Sequence, residues 1–133
     1  MQDRPNAPEL LDALAAFMRD RAANARDRWE RFQFQVAANS IGIIRREIEM
    51  EEGLLLEEWR GLDGLLDEES APATYKSLQD RTLLRNEELV RRIQGGDFDG
   101  ERDLELQRHL LATVLAKVRV ASPNEYRGLR TKD

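Results

Sequence analysis

The sequence contains no cysteine, which excludes disulfide bonds, thiolate zinc sites and a cysteine nucleophile. It has a single histidine, His109, so a site that needs two imidazoles from one chain is excluded as well. No apolar run approaches the roughly 18 residues of a membrane span, and the first residues lack the basic start and apolar stretch of a signal peptide. We therefore expect a cytoplasmic protein with no membrane segment, no metal and no cofactor.

Charged residues are abundant: they make up 35% of the 133 residues, against about 25% in an average globular domain. The net charge of −5 argues against a nucleic-acid partner. The negative charge is concentrated in residues 47–70, where ten acidic residues accompany a single arginine, Arg60. Such an acidic block either recruits a basic partner or a cation, or is the solvated face of a helix end and a loop.

Helical spacing of apolar residues dominates the sequence, and the alternation typical of strands is absent. The pattern predicts an all-α, single-domain bundle of about five helices over residues 1–133. The predicted helices cover roughly residues 7–24, 27–52, 55–66, 76–94 and 101–121. We expect residues 1–6 to form an N-terminal arm and residues 122–133 to form a flexible, extended C-terminal tail.

Two local signals set the expected helix ends, and the second helix has the broadest apolar face. Asn6 and Glu9 have the spacing of a capping box, which predicts that the first helix begins at residue 7. Gly53 is the expected end of the second helix. At 100° per residue, the apolar residues of the second helix cover an arc of about 180°: Trp29, Phe32, Val36, Ala37, Ile41, Ile43, Ile44 and Ile48. An arc that wide needs cover on two sides, so we expect this long helix to be the centre of the fold.

A few polar residues lie on faces that the pattern predicts to be buried. Glu47 projects to the middle of the apolar arc of the second helix, and Asn39 and Arg46 lie together at one edge of it. Asn86 falls inside the apolar stripe of the fourth helix. A buried carboxylate needs a donor, and the candidates are Arg46, Lys117 and Asn86. These five residues form a core network that fixes the helix register, a polar pocket for a small ligand, or a polar interface with another chain.

The fifth predicted helix sets the environment expected for His109. Its apolar stripe consists of Leu104, Leu111, Val114, Leu115 and Val118. His109 projects to the opposite side, so we expect it to be exposed and hydrogen-bonded to Glu105, one turn earlier. The paired Glu-x-x-His motifs of di-iron bundles are absent, and no serine has the setting of a nucleophile. The sequence thus predicts no catalytic residue and no metal ligand.

Four groups of motifs occur in order along nearly the whole chain: Gln2-Asp3-Arg4-Pro5 with Glu9-Leu10-Leu11, Val36-Ala37-Ala38-Asn39 with Arg46-Glu47, Gly96-Asp97-Phe98-Asp99, and Ala112-Thr113-Val114 followed by Lys117, Ser122-Pro123 and Tyr126. Together they resemble a bacterial family of small helical proteins of unknown function. Ser122 departs from the asparagine expected before the proline, and residues 53–75 match least. Genes of that family commonly lie beside those for an aminoglycoside-phosphotransferase-like kinase and an acyl-CoA dehydrogenase. The resemblance therefore implies an accessory role in the breakdown of an acyl or hydroxyacyl compound, and it assigns no chemistry to any residue.

Several functions remain open from the sequence. The leading hypothesis is a non-enzymatic helical accessory or partner protein for that kinase or dehydrogenase. The alternative is a small-ligand-binding protein whose polar pocket around Glu47 takes an acyl or phosphorylated metabolite, with Arg46 and Lys117 as its anion contacts. An enzyme that uses carboxylates alone is a third hypothesis. A homodimer is also open, because Leu84 and Leu106 project away from the main stripes of their helices.

Overall fold

Helices account for all the regular structure in residues 4–130, which are the residues that the computed structural model describes. The five helices are α1 (Ala7–Ala23), α2 (Arg28–Asp63), α3 (Tyr75–Gln94), α4 (Asp103–Ala121) and α5 (Pro123–Arg130). The described residues contain no strand. The all-α fold and the long second helix, both predicted from the sequence, are confirmed.

The start of α1 is fixed by the predicted capping box. The side-chain oxygen of Asn6 accepts a hydrogen bond from the backbone N–H of Glu9 at 2.9 Å, and the backbone N–H of Asn6 donates to the Glu9 carboxylate at 2.8 Å. Two backbone N–H groups at the helix start, which have no partner within the helix, are thereby satisfied. The helix begins at Ala7, where the sequence predicts it.

α2 does not end at Gly53 but runs unbroken for 36 residues to Asp63, so the second and third predicted helices are one. The predicted end is wrong because glycine terminates a helix by adopting a positive φ just past the last turn. Among the described residues, Gly96 and Gly100 have a positive φ, and Gly96 lies just past the end of α3. Inside a helix, glycine costs about 1 kcal/mol relative to alanine, which destabilises α2 locally without ending it.

The C-terminal residues are helical rather than extended. α5 begins at Pro123, directly after Ser122, and contacts α4. The predicted extended tail is wrong because proline is favoured at the first position of a helix, where its missing N–H is not needed. The N–H of Tyr126 closes this first turn on the Ser122 carbonyl at 3.1 Å. Residues 1–3 of the predicted arm and 131–133 of the predicted tail lie outside the described residues.

The described residues form two compact units. One comprises the residues up to 51, with α1 and the first part of α2; the other comprises the residues from 52 onward, with the rest of α2, α3, α4 and α5. The single-domain organisation over residues 1–133 stays a prediction.

In the first unit, α1 and α2 form an antiparallel hairpin. Near the loop, the guanidinium carbon of Arg21 lies 5.5 Å from the centroid of the Phe34 ring. Far from the loop, Arg45 and Asp12 form an ion pair with 2.8 Å between Nε and Oδ1. The buried residues of this unit are all alanines: Ala15, Ala22 and Ala38. Small side chains allow closely spaced helices, but they bury little apolar area.

The second unit has the larger apolar core. Leu62 of α2, Leu89 of α3 and Leu106 of α4 belong to one buried cluster with Leu65 and Phe98. The cluster therefore joins three helices. Leu106, which the sequence places off the main apolar stripe of its helix, is a core residue.

Candidate functional site

Glu47, the centre of the predicted polar site, is exposed. The side of α2 that packs against α1 carries Phe34, Ala38 and Arg45. At 100° per residue, Ala38 lies on the opposite side of the helix from Glu47. The prediction that this carboxylate points inward is wrong, because α1 covers the narrow side of α2 around Ala38 and leaves its broad apolar arc open.

The other four predicted site residues have separate environments. Asn39 and Lys117 are exposed, and Arg46 is half-buried. Asn86 is half-buried too, and its side-chain N–H donates to a carboxylate oxygen of Glu58 at 2.7 Å. The predicted residues numbered below 52 belong to the first unit, and the remaining two belong to the second. A role of these residues in ligand binding stays a prediction.

The broad apolar arc of α2 faces away from α1. Trp29 is 66% exposed, and it stacks on Phe32 with 5.8 Å between the ring centroids. We call the exposed apolar residues of the two helices the hairpin face: Leu10, Leu14 and Phe17 on α1, with Trp29, Phe32, Val36, Ile44 and Ile48 on α2. At 100° per residue from Ala38, Trp29 and Val36 lie on the side of α2 opposite α1, so these eight residues do not all share one side of the hairpin.

α4 likewise turns its main apolar stripe outward. Leu111 is 60% exposed, whereas Leu106 and His109, on the other side of the helix, are 8% and 9% exposed. We call the outward residues the α4 face: Leu104, Leu111 and Val114, with the half-buried Leu115 and Val118. The prediction of an exposed His109 is wrong for the same reason as the prediction of an inward Glu47. Both predictions take the broadest apolar stripe to be the buried side of its helix.

His109 is packed against Gly61 of α2. A Cβ added at Gly61 would lie 2.5 Å from Nδ1 of His109, so the glycine leaves the room that the imidazole occupies. Burial lowers the pKa of His109 below its usual 6.5, while the nearby Glu58 carboxylate acts in the opposite direction. The buried environment therefore favours the neutral imidazole.

We expect acidification to destabilise the wild-type protein more than a His109→Gln variant. A histidine whose pKa is lowered in the folded state binds a proton more readily when the chain is unfolded. Its full contribution to stability is present above the unfolded-state pKa of about 6.5 and is lost as the pH falls from there through the lower folded-state pKa. Urea unfolding at a series of pH values from about 8 to about 5 measures the difference. If the free energy of unfolding changed with pH in the same way for both proteins, the imidazole would not be desolvated in the folded state.

Arg85 of α3 is a buried charged residue, 6% exposed, at the end of α2. Its Nη1 donates to Oδ1 of Asp63 at 2.8 Å, and its Nη2 donates to the backbone carbonyl of Asp67 at 2.8 Å. The guanidinium also lies over the indole of Trp59, with 4.4 Å from its carbon to the ring centroid, which is a favourable cation–π geometry. Arg85 thus joins α3 to the end of α2 and to the segment that follows.

The contacts around Arg85 and Trp59 also hold the segment that follows α2, around residues 67–69. Nε1 of Trp59 donates to the carbonyl of Glu69 at 3.0 Å, and the N–H of Glu69 donates to Asp63 at 3.3 Å. Two further ion pairs join this segment to α3: Arg81 with Glu69, and Arg92 with Asp67. The end of the acidic block is therefore compensated by basic residues of its own chain, which argues against a free cation-binding cluster in that part of the block.

Sequence reasoning missed Arg85 although a signal was present. Arg85 lies three residues after Thr82 and four before Leu89, on the buried stripe of α3. An arginine on a buried stripe predicts a carboxylate partner, because a buried charge is retained only when it is paired. The partner itself, Asp63, carries no such signal, since it is one of ten acidic residues in residues 47–70.

These polar contacts connect residues of the same chain, so the network stabilises the second unit. Among residues 4–130, no group of three or more His, Asp or Glu side chains is placed to hold a metal ion. Within the same residues, no helix is both long and apolar enough to cross a bilayer. The arrangement that points to another molecule is the outward apolar stripe of α4.

A comparison with protein families finds a match over residues 24–125 to the family described as Domain of unknown function (DUF6285). The matched range begins after α1 and ends within α5, so it includes α2, α3 and α4 in full. No curated protein and no solved structure matches the chain.

Proposed function

Because the chain belongs to the family described as Domain of unknown function (DUF6285), whose description names no activity, we propose a function from its surface: a non-enzymatic accessory protein that binds a partner protein. The observation that carries this proposal is the α4 face, which is exposed while the other side of the same helix lies in the core. A helix that is apolar on two sides is suited to pack on its own chain with one side and on another protein with the other. Its cytoplasmic location stays a prediction.

The charges around the α4 face indicate what the partner surface looks like. Arg108 and Arg119 lie along one edge of the apolar stripe, Lys117 and Asp103 lie along the other, and all four are exposed. Protein interfaces combine an apolar centre with a polar rim, and rims of opposite charge speed association and fix the register. We therefore expect a partner surface that is apolar in the middle and acidic at the edge that meets the two arginines.

Two enzymes are the partners to test first. The resemblance to small bacterial helical proteins implies an accessory role beside an aminoglycoside-phosphotransferase-like kinase and an acyl-CoA dehydrogenase. The chain binds one of these two enzymes in this proposal and assists the breakdown of an acyl or hydroxyacyl compound. The choice of enzymes rests on the resemblance, whereas the binding surface rests on the exposure of the α4 face.

Leu111→Glu should weaken binding to the partner about a hundredfold or more, because the complex would then bury an unpaired carboxylate in the middle of the interface. The test mixes the purified chain with the purified kinase and, separately, with the purified dehydrogenase of the same organism, and measures each affinity by calorimetry.

The matched control is Leu84→Glu, which places the same charge on an exposed leucine of α3 and should leave the affinity unchanged. Two results would count against the proposal. One is that the wild-type chain binds neither enzyme at any salt concentration. The other is that Leu84→Glu and Leu111→Glu weaken binding equally.

The ligand-binding alternative depends on a polar residue that is not where the sequence predicts it. It requires a carboxylate that points inward and organises its neighbours, and Glu47 is exposed. The amide of Asn86 already donates to Glu58. Binding of an acyl or phosphorylated metabolite therefore stays a prediction from the sequence, and the α4 face is the better-supported site.

A further inference from the structure

The outward side of α4 has the residue spacing of a helix that packs along another helix. Leu104, Leu111 and Val118 recur every seven residues, and Leu115 lies four residues after Leu111 and three before Val118. Alternating steps of four and three residues keep a row of side chains on one side of a helix over several turns. Arg108 has the place in this row between Leu104 and Leu111. We call these five residues the α4 seam.

The α4 seam lies on the side of α4 opposite the core of the second unit. At 100° per residue, its five residues lie within an arc of about 80°, and the buried Leu106 and His109 lie on the other side of the helix. At 1.5 Å per residue, the seam is about 21 Å long from Leu104 to Val118, which is about four turns. Leu104 and Leu111 are 55% and 60% exposed. The surface on offer is therefore a narrow, straight row, which one amphipathic helix of similar length covers.

Two arginines on this side of α4 are exposed and unpaired. Within residues 4–130, the side chains of Arg108 in the seam and Arg119 at its edge have no ion pair and no hydrogen bond. α3, by contrast, pairs all four of its arginines with carboxylates of the same chain: Arg81, Arg85, Arg91 and Arg92. Unpaired arginines beside an apolar row favour a partner that carries carboxylates.

The spacing of the two arginines says where those carboxylates lie. Arg108 and Arg119 are eleven residues apart, so they lie on nearly the same side of α4, with about 16 Å between them along the helix axis. A helix that lies along the seam has the same rise per residue. Two acidic residues eleven positions apart on that helix therefore come level with both arginines.

We infer that the α4 seam binds one amphipathic helix of another protein, which has apolar residues in its own seam and carboxylates level with Arg108 and Arg119. A second copy of this chain is less suitable, because the α4 seam contains no acidic residue to pair with Arg108. In a parallel pair, Arg108 would lie beside Arg108 of the second copy, and the two would repel each other. The inference rests on the proposed function, since both place the partner on the α4 face, and it adds the chemistry of the segment that binds there.

Two designed peptides test the inference independently of any natural partner. The acidic peptide is a helix of about five turns with leucine at its seam positions, glutamate at two edge positions eleven residues apart, and alanine and glutamine elsewhere. The basic peptide has lysine in place of the two glutamates. Calorimetry with the full chain should show that the acidic peptide binds about tenfold more tightly. Equal affinities for the two peptides overturn the inference, and so does the absence of binding at about 1 mM peptide.

Charge reversal on the protein shows whether Arg108 causes the preference. Arg108→Glu should make the basic peptide the tighter binder. The matched control is Arg60→Glu, which changes the net charge by the same amount at an exposed residue of α2 outside the α4 face, and it should leave the preference for the acidic peptide unchanged. An Arg108→Glu variant that still prefers the acidic peptide overturns the pairing.

The mass of the protein in solution tests the other possible occupant of the seam, a second copy. Leu111→Glu should leave the mass measured by sedimentation equilibrium the same as that of the wild type, because the seam is not a contact between copies. A wild type with the mass of two chains and a Leu111→Glu variant with the mass of one would overturn the inference.

Failure of the inference and failure of the proposed function can be told apart. If the acidic peptide binds through Leu111 but neither enzyme binds, the inference is supported and the choice of kinase or dehydrogenase as partner is removed. If one of the enzymes binds through Leu111 but neither peptide binds, the proposed function stands and the helical partner segment is overturned.

Discussion

Replacing Arg85 by alanine should lower the free energy of unfolding by about 3 kcal/mol. The substitution removes Nη1, which donates to the Asp63 carboxylate at 2.8 Å, and Nη2, which donates to the Asp67 carbonyl at 2.8 Å. It also removes the cation over the Trp59 ring. Removing one partner of a buried ion pair costs about 3–5 kcal/mol, and the lower end applies because the Asp63 side chain keeps 23% of its surface in water. Urea unfolding at neutral pH, followed by circular dichroism, measures the loss.

Arg91→Ala is the matched control for this measurement. Arg91 pairs with Glu88 at 2.7 Å, but its side chain is exposed, so its loss should stay below about 1 kcal/mol. The loss in free energy of unfolding for Arg85→Lys should lie between the losses for Arg85→Ala and Arg91→Ala. An ammonium group keeps the charge but lacks the planar guanidinium that reaches two acceptors. Equal losses for Arg85→Ala and Arg91→Ala would contradict the buried network.

Gly53→Ala and Gly61→Ala should change stability in opposite directions, although both glycines lie inside α2. An added Cβ at Gly53 meets nothing within 4 Å, so the better helix propensity of alanine raises the free energy of unfolding by about 0.5–1 kcal/mol. At Gly61, the Cβ would lie 2.5 Å from Nδ1 and 3.0 Å from Cε1 of His109. Because the ring is buried, we expect this overpacking to lower the free energy of unfolding by about 1–3 kcal/mol. Urea unfolding of the two variants side by side measures both changes.

A double variant identifies the cause of the loss at Gly61. His109→Ala removes the ring, so adding Gly61→Ala to that background should stabilise the protein, as Gly53→Ala does in the wild type. If Gly61→Ala is stabilising in the wild-type background, the packing of His109 against α2 is incorrect.

Local signals in the sequence are sufficient to predict most of the helices. The capping box of Asn6 and Glu9 gives the start of α1, and the predicted bounds of α3 and α4 agree with Tyr75–Gln94 and Asp103–Ala121 to within two residues. Gly53 is misleading, because a glycine permits a helix end without imposing one. A helix ends where the following backbone turns away, and this depends on contacts that are distant in the sequence.

Which side of each helix its own chain covers could not be predicted. α1 packs on α2 through Ala38, and the core of the second unit meets α4 at Leu106. Neither residue belongs to the broadest apolar stripe of its helix. An apolar stripe that binds another molecule has the same periodicity in the sequence as one that faces the core of its own chain. The predictions for Glu47 and His109 are wrong for this single reason.

The candidate site could be predicted only in part. Asn86 does lie at a half-buried polar contact, but its partner is Glu58, whose position in the acidic block gives no sign of that role. Arg85 could have been found from its place on the buried stripe of α3. The contact of His109 with Gly61 could not, because it depends on the distance between two helices.

The account depends most on α2 leaving its broad apolar arc open, and hydroxyl-radical labelling of the two tryptophans tests this most directly. Trp59 is 1% exposed, whereas Trp29, on that arc, is 66% exposed. We predict that Trp29 is labelled strongly and that Trp59 is protected from labelling. Protection of Trp29 as complete as that of Trp59 would contradict the account.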